Sequence, residues 1–555
     1  MATNRALVTF QDDTTMEVEK GTPIYELSKI YQPKMKEKIV GAEINNEVIN
    51  LGEKITGPTT ITFIDKNSTN GYKLNKYGLE FVMEVALKEV FDNRFELYID
   101  HSIANGIHAT IEGNRKFTLA DAKKLKSKMN EIIAADEIIE NINVEQHEAI
   151  NYFNRVKAPE KAKNIHNLTN DIVKIYKLRK IVNYFYFEMP YSTGCLSKYD
   201  LIFLGDNKLV LLFPSPCTKF KLPEYKHYQN IIKCFEDSKK WIKELEVPYL
   251  ADMNEKVSEC KIEDLIMVTE TDFNNRVNEL VDDFIKSKAK FMMFAGPSSS
   301  GKTTTTKKIA LQLRSRGYDT LVISVDDYFV EREESPKDEN GNYDFECLEC
   351  VDIKLLNKHL KDLINGKKVS MPTFNFGLGK KEYNKPPVKL GENQVILMEG
   401  LHCINDAMTP DISPKLKYKV YLSPFIPLNI DRHNYISTTD LRLIRRIVRD
   451  NRSRATDVGK TILYWASVRD GEEKYIFPYI NNVNKVLNTS LIYEVGVLKV
   501  FVEPLLYSVS SKSPAYNEAR RLIHSLKCFF PIPSDYVSDD SILREFIGKS
   551  KFENM

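Results

Sequence analysis

Residues 296–303 read Gly-Pro-Ser-Ser-Ser-Gly-Lys-Thr. Glycines at the first and sixth places let backbone N–H groups curl around anionic oxygens without a side-chain clash, so the spacing predicts a phosphate-binding loop. Lys302 is placed to reach the β- and γ-phosphates of a nucleotide, and the Thr303 hydroxyl to hold Mg²⁺. Gly296, Ser298, Ser299, Ser300, Gly301 and Thr304 complete the expected cradle. The run TTTTKKIALQLRSRG that follows reads as a helix whose amino-terminal dipole faces the same phosphates. Loops of this kind serve GTPases, motor and transport ATPases and small-molecule kinases, so the pattern sets phosphate binding and leaves the acceptor open.

Other chemistry-bearing residues follow in order. An apolar run ends Ile323-Ser324-Val325-Asp326-Asp327, and either carboxylate at such a strand end could take a proton from an acceptor hydroxyl. A solvated Asp-Asp turn is the competing reading. Val395 to Met398 leads into Glu399-Gly400, where a carboxylate can hold a metal or its bound water, or simply make a turn. Residues 440–454 carry arginines at 442, 445, 446, 449, 452 and 454. On a helix, 442, 445/446 and 449 share a face, which suits a lid that clamps a phosphoryl group; a solvated or nucleic-acid-binding basic face is the alternative. Cys347-Leu-Glu-Cys350 has the spacing of redox and zinc sites, but no second pair completes four ligands, so packed thiols and no zinc are expected.

These residues need elements to position them. From Lys290 onward, apolar strand-like runs (FMMFAG, TLVISVDD, QVILMEG, YKVYLS) alternate with helical runs, the pattern of a parallel sheet covered by helices. Residues 6–64 read as short strands around the helical run TPIYELSKIY, which suggests a β-grasp unit. Residues 72–216 read as a second α+β unit, with a long charged helical stretch over 119–153. Residues 217–290 look like a helical connector with Trp241, Tyr249 and Phe284 as buried anchors, and Asn-Ser-Thr-Asn-Gly at 67–71 reads as a linker. The expected fold class is multidomain α/β and α+β, divided at 1–66, 67–220, 221–289 and 290–555.

A chain of 555 residues exceeds one core and favours three or four domains by length. The net charge of +2 excludes a global electrostatic case for nucleic acid or membrane. Eight cysteines in so long a chain do not make a disulfide scaffold, and the start MATNRALVTFQDD lacks the apolar core of a signal peptide, so reduced thiols and a cytoplasmic location are expected. No apolar run approaches the ~20 residues of a membrane helix.

The ordered set GPSSSGKT, SVDDYF, YDFECLECVD, MPTFNF, MEGLH and DLRLIRRIVRD resembles the uridine kinase and phosphoribulokinase family of phosphate-loop kinases, over about residues 291–505. That resemblance implies Asp326 as catalytic base and Glu399 as metal-side carboxylate. Glu346 falls at the position that receives ribose hydroxyls, and Phe374 at an aromatic position beside the base. Arg446, Arg449 and Arg454 match lid arginines, Arg446 on the substrate side and the other two on the transferring group. Two departures stand out. Common short uridine kinases carry a histidine soon after that aromatic position, where this chain reads Gly377-Leu378-Gly379-Lys380, and their lid Arg-Gly is Arg454-Ala455 here.

Residues 6–64 resemble a TGS domain, and 72–216 resemble the second additional domain of threonyl- and alanyl-tRNA synthetases, carried by YGLEFVMEVALKEVF, DHSIANGIHATI and STGCLSKYDLIFL. Active domains of that type bind zinc through His-x-x-x-His and Cys-x-x-x-His. His101 and His108 stand seven apart, so a metal-free module is implied. The overall order, with the tail stretches NEARRLIHSLKCFFPIP and SILREFIG, resembles a fused nucleoside kinase architecture. It implies ATP and Mg²⁺ as cofactors and transfer of the γ-phosphoryl to a nucleoside 5′-hydroxyl. The expected partners are a nucleoside, RNA at the front modules and a second copy of the chain. Two other readings stay open: an RNA-associated regulator whose kinase-like unit senses ATP, and a kinase for another small alcohol such as a sugar phosphate or pantothenate.

Overall fold

A computed structural model describes residues 4–103, 106–337, 341, 343, 344, 346–375 and 377–553; Asn105, Phe345 and Phe376, within stretches quoted above, lie outside them. The chain is multidomain, of α/β and α+β class. At its start a five-stranded sheet is ordered Thr15–Glu19, Arg5–Phe10, Thr59–Asp65, Ile39–Ile44, Glu47–Ile49, with only Arg5–Phe10 and Thr59–Asp65 parallel. Alternation along Arg5–Phe10 turns Ala6, Val8 and Phe10 inward, and helix Ile24–Tyr31 closes that face with Ile24, Leu27 and Tyr31. This is a β-grasp.

Residues 67–71 are not the linker their composition suggested. Ser68 caps helix Thr69–Phe91, its hydroxyl accepting from the Gly71 N–H at 3.1 Å, and a Cβ at Gly71 would overlap the Asp65 carbonyl oxygen. Asn, Ser, Thr and Gly serve a cap and a close backbone approach as readily as a linker. The helical stretch expected over 119–153 is also corrected. Helix Leu119–Ala134 stops before Asp136, which is left-handed at φ 49°, and Glu140–Glu145 is a strand paired with Ile172–Leu178 before helix Gln146–Arg155 resumes. Ile142 and Val144 alternate at period two inside a charged run, and pairing with the β-branched strand overrides local helical spacing. A four-stranded antiparallel sheet, ordered Asp200–Gly205, Lys208–Leu212, Gly106–Gly113, Phe95–Ile103, packs on Thr69–Phe91 and Leu119–Ala134.

In the connector, helices Gln229–Glu244, Leu250–Ser258 and Ile262–Ser287 join the core; Phe284 is buried, whereas Trp241 and Tyr249 are only half-buried. The C-terminal part carries strands β1 (Phe291–Ala295), β2 (Asp319–Ser324), β3 (Thr373–Asn375), β4 (Lys380–Glu382), β5 (Gln394–Glu399), β6 (Lys417–Ser423) and β7 (Lys485–Asn488), with helices α1 (Lys302–Ser315), α2 (Ile353–Ile364), α3 (Thr438–Arg454) and α4 (Val458–Tyr475). β2-β5-β1-β6-β7 form one all-parallel sheet, and β3 and β4 a separate hairpin. Wholly buried β1 alternates between two cores: Met292 and Phe294 face Ile309 and Leu313 of α1, while Phe291, Met293 and Ala295 face the core containing Leu356 and Leu360 of α2. Among the described residues no helix is long and apolar enough to cross a membrane.

One buried feature of the front half sets a pH dependence. Both carboxylate oxygens of Glu80, in helix Thr69–Phe91, are buried with no hydrogen-bond partner, and burial raises its pKa to about 7 against a partial offset from Lys76. The folded state keeps a proton the unfolded chain releases, so this group's contribution to stability is fullest below the unfolded pKa and is lost as pH rises through about 7. Glu80→Gln, an analogue of the protonated acid, is expected to raise stability at pH 8 by about 1–3 kcal/mol and to change it little at pH 4. Urea melts at the two pH values check this.

Candidate active site

The phosphate loop lies where its sequence places it, after β1 and before α1. Ser299 (φ 60°) and Gly301 (φ 81°) are left-handed, and a Cβ at Gly296 would overlap the Leu422 carbonyl oxygen. Three loop carbonyls are taken from outside. Arg442 Nε donates to Ser298 O at 2.9 Å, Arg445 Nη1 to Ser299 O at 3.3 Å, and Thr489 Oγ1 to Ser300 O at 2.6 Å. A peptide's N–H points opposite its C=O, so the amides of residues 299–301 turn to the inside of the loop, where that of Ser300 donates to the Pro297 carbonyl at 3.2 Å. The Ser299 and Ser300 hydroxyls are buried and without a hydrogen-bond partner. Inward amides and two unspent hydroxyls fit phosphate oxygens.

Lys302 Nζ rests on the carbonyls of Gly296 (2.8 Å) and Pro297 (3.3 Å) and attracts three acids at once: Asp326, Glu346 and Glu399. Sheet register explains the meeting, because Glu399 at the end of β5 lies opposite both Phe294 of β1 and Ser324 of β2. Asp326 follows β2 by two residues, so both acids sit at one carboxyl edge with the phosphate loop that follows β1. Asp326 reaches solvent at this edge, yet protein surrounds most of its carboxylate. That desolvation raises its pKa; Lys302 lowers it and Asp327 raises it further. Glu399 is raised by burial, with Asp326 and Glu545 adding repulsion. Glu346 is raised by burial, Glu472 and Asp326, and lowered by Lys302 and Arg446. Asp326 repels both Glu346 and Glu399, and Thr303, next to Lys302 in sequence, is exposed; hard oxygens of this kind suit Mg²⁺ held by one or two carboxylates together with phosphate oxygens, not by an all-protein cage.

Asp327 serves the hairpin instead, where its Oδ1 accepts the Phe374 N–H at 3.1 Å and fixes the start of β3. Phe374 is buried, with its ring edge-on to Phe329 at 5.8 Å between centroids. Thr304 is buried, and its N–H donates to Glu545 Oε2 at 3.1 Å.

The arginine stripe divides. Arg442 and Arg445 are only 2% and 0% exposed; Arg442 pairs with Glu472, and Arg445 Nε meets Glu494 Oε2 at 2.6 Å. They are fixed parts of the core, not a mobile lid. The helix carrying them is likewise bound through buried Leu441, Leu443, Ile444, Ile447 and Val448. Arg452 turns away toward the C-terminus, donating to Phe546 O. The remaining arginines gather on Asp450: Arg446 at 3.2 Å, Arg449 at 2.8 Å and Arg454 at 3.5 Å. Arg446 also donates to the Ser298 hydroxyl at 3.2 Å, linking this group to the loop. Asp450 was detectable from sequence, four residues after Arg446 and four before Arg454. Glu472, Glu494 and Glu545 carry no such local signal.

Cys347 and Cys350 are buried with sulfurs 3.5 Å apart, and burial pushes both thiols up, Cys350 to about 12. His101 and His108 face each other at 4.8 Å between ring centroids, and burial holds both below the usual imidazole range. Among the described residues no group of three His, Cys, Asp or Glu is arranged to hold a metal ion.

Residues 291–491 match the sequence model of the Phosphoribulokinase / Uridine kinase family. A uridine kinase of Macrococcus caseolyticus (strain JCSC5402) is 28% identical over 193 residues, covering 35% of this chain and 84% of that protein. One from Staphylococcus aureus (strain JH9) is 26% identical over 218 residues, covering 39% and 93%. A threonine–tRNA ligase of Caldanaerobacter subterraneus subsp. tengcongensis is 26% identical over 255 residues. That match takes in 43% of this chain and only 39% of the ligase's length, and it falls on the N-terminal part. Residues 291–491 are thus similar to the phosphoribulokinase / uridine kinase family, and the N-terminal part is similar to part of a threonine–tRNA ligase.

Proposed function

We propose that the chain is a nucleoside kinase that transfers the γ-phosphoryl group of ATP to a nucleoside 5′-hydroxyl in the cytoplasm. The observation that carries this reading is that sheet register brings Glu399 and Asp326 to one carboxyl edge beside the phosphate loop, where the charge of Lys302 acts on both and on Glu346. Uridine kinases among the relatives that this chain covers nearly end to end support a nucleoside as acceptor. Lys302 and the loop amides bind the phosphates. Thr303 and Glu399 would hold Mg²⁺, whose charge, when it is bound, offsets that of the phosphates. Asp326 orients the acceptor hydroxyl and takes its proton. Glu346 accepts from the ribose hydroxyls, and Phe374 lines the base side. Arg446, Arg449 and Arg454, gathered by their shared partner Asp450, bind the transferring group through planar guanidinium forks.

A panel of nucleosides and other small alcohols, incubated with ATP and Mg²⁺ and scored for ADP and phosphorylated product, tests the acceptor. Turnover with a nucleoside is expected, and turnover only with a sugar phosphate or pantothenate would replace this reading. On the preferred substrate, Lys302→Ala and Asp326→Asn are each expected to lower kcat by about 10²–10⁴ while thermal unfolding stays near wild type.

The raised pKa of Asp326 adds a pH signature. As a base it works ionised, so kcat/KM falls as pH drops through a value above the ordinary 3.8. Asp327→Asn keeps an oxygen for the Phe374 N–H and removes the neighbouring negative charge, so the acid limb moves to lower pH. An unmoved limb would reassign the base.

The likeness of the N-terminal part to threonine–tRNA ligase favours a second partner, structured RNA held by residues 1–220. Filter binding of tRNA to the full chain is expected to weaken at least tenfold between 50 and 200 mM salt, on the order set by release of condensed counterions.

A further inference from the structure

The nucleotide site already contains an anion of its own. Thr304 is the third residue of α1, and its backbone N–H is among the helix-terminal donors that have no partner within the helix. On the phosphate-loop reading, on which this inference rests, that donor serves nucleotide phosphate. In this structure it serves Glu545, from a segment 241 residues further along the chain, at 3.1 Å.

The backbone that carries Glu545 is fixed. Ile542, Leu543 and Phe546 are fully buried, and Ile542 covers Gly301 so closely that a Cβ there would overlap it. Lys308 pairs with Asp540 at 2.9 Å, Lys307 Nζ donates to Phe552 O at 2.6 Å, and the Arg445 guanidinium stands 4.8 Å over the Phe546 ring. The carboxylate itself is only half-buried, and among the described residues no lysine or arginine forms an ion pair with it. Its charge nevertheless reaches the catalytic floor, because it raises the pKa of Glu399. A negative group at a helix N-terminus, holding a cradle amide and free to turn on an anchored backbone, competes with any second anion that needs the same amide.

We propose that Glu545 is an intramolecular competitor for nucleotide phosphate: ATP or ADP binds only as the Glu545 carboxylate releases the Thr304 N–H, which lowers affinity for both nucleotides and speeds departure of the product. The residue acts on nucleotide affinity, not on the phosphoryl-transfer step. Glu545→Ala is expected to tighten MgATP and MgADP about tenfold in isothermal titration of the full-length chain, chiefly through a slower off-rate. Glu545→Gln, nearly the same shape and able to accept the same hydrogen bond without charge, is expected to tighten binding by a smaller factor. It guards against a folding defect in the alanine variant. Unchanged or weaker MgATP binding by both variants, with wild-type protein binding normally, overturns the competitor role and leaves the phosphate-loop reading standing. Failure of wild-type protein and both variants to bind MgATP overturns the phosphate-loop reading and this inference with it.

Discussion

The carbonyls of Ser298, Ser299 and Ser300 are held from behind, and the chemistry of the nucleotide site depends on that. A loop that bends through two left-handed residues could turn its peptide planes either way. Arg442, Arg445 and Thr489 bind the carbonyls and so commit the amides to the concave side. Two of these donors are guanidinium groups sunk in the core, and burying such ions costs several kcal/mol each before pairing recovers it. Glu472 and Glu494 supply the pairing. The net contribution of these pairs to stability is small by that reasoning, and their value is geometric: the cradle is formed before any phosphate arrives.

The same helix ties the front half of the chain to the catalytic half. The segment 427–435 enters α3 and is hydrogen-bonded into the synthetase-like module. Asn429 Nδ2 donates to Ile99 O at 2.8 Å, and Ile99 N donates to Arg432 O at 2.8 Å. Lys161 pairs with buried Asp431 at 2.8 Å, and Asn164 donates to Ile430 O at 2.6 Å. The segment leads within a few residues into α3, which carries Arg442 and Arg445 at the loop and Arg446, Arg449 and Arg454 on Asp450, so these bonds join Phe95–Ile103 to the start of the element that shapes the loop. The front half is thus a structural support of the kinase site as well as an appended module.

Local pattern made some of this legible and long-range contact hid the rest. The phosphate loop, the parallel strands around it and the β-grasp could be read because each rests on spacing within a few residues. The carboxylates Asp326 and Glu399 could be read because strand ends in such sheets converge. The division of the arginine stripe could not, since Glu472 and Glu494 lie 30 and 49 residues from the arginines they bind. Composition misled at 67–71, where cap and linker use the same residues, and at 140–145, where a charged run conceals a strand that only its pairing with 172–178 stabilises.

The crowding of acids around Lys302 gives the site its direction. Lys302 is the cation common to Asp326, Glu346 and Glu399, and each of these acids remains raised despite it. A fourth carboxylate, Glu545, adds to the repulsion at Glu399. A site so crowded holds protons more firmly than isolated carboxyls do, and a divalent cation bound there would relieve the repulsion. In the free chain desolvation and the neighbouring Asp327 hold the Asp326 proton against the pull of Lys302, so the charge placed beside this group sets the pH at which it ionises.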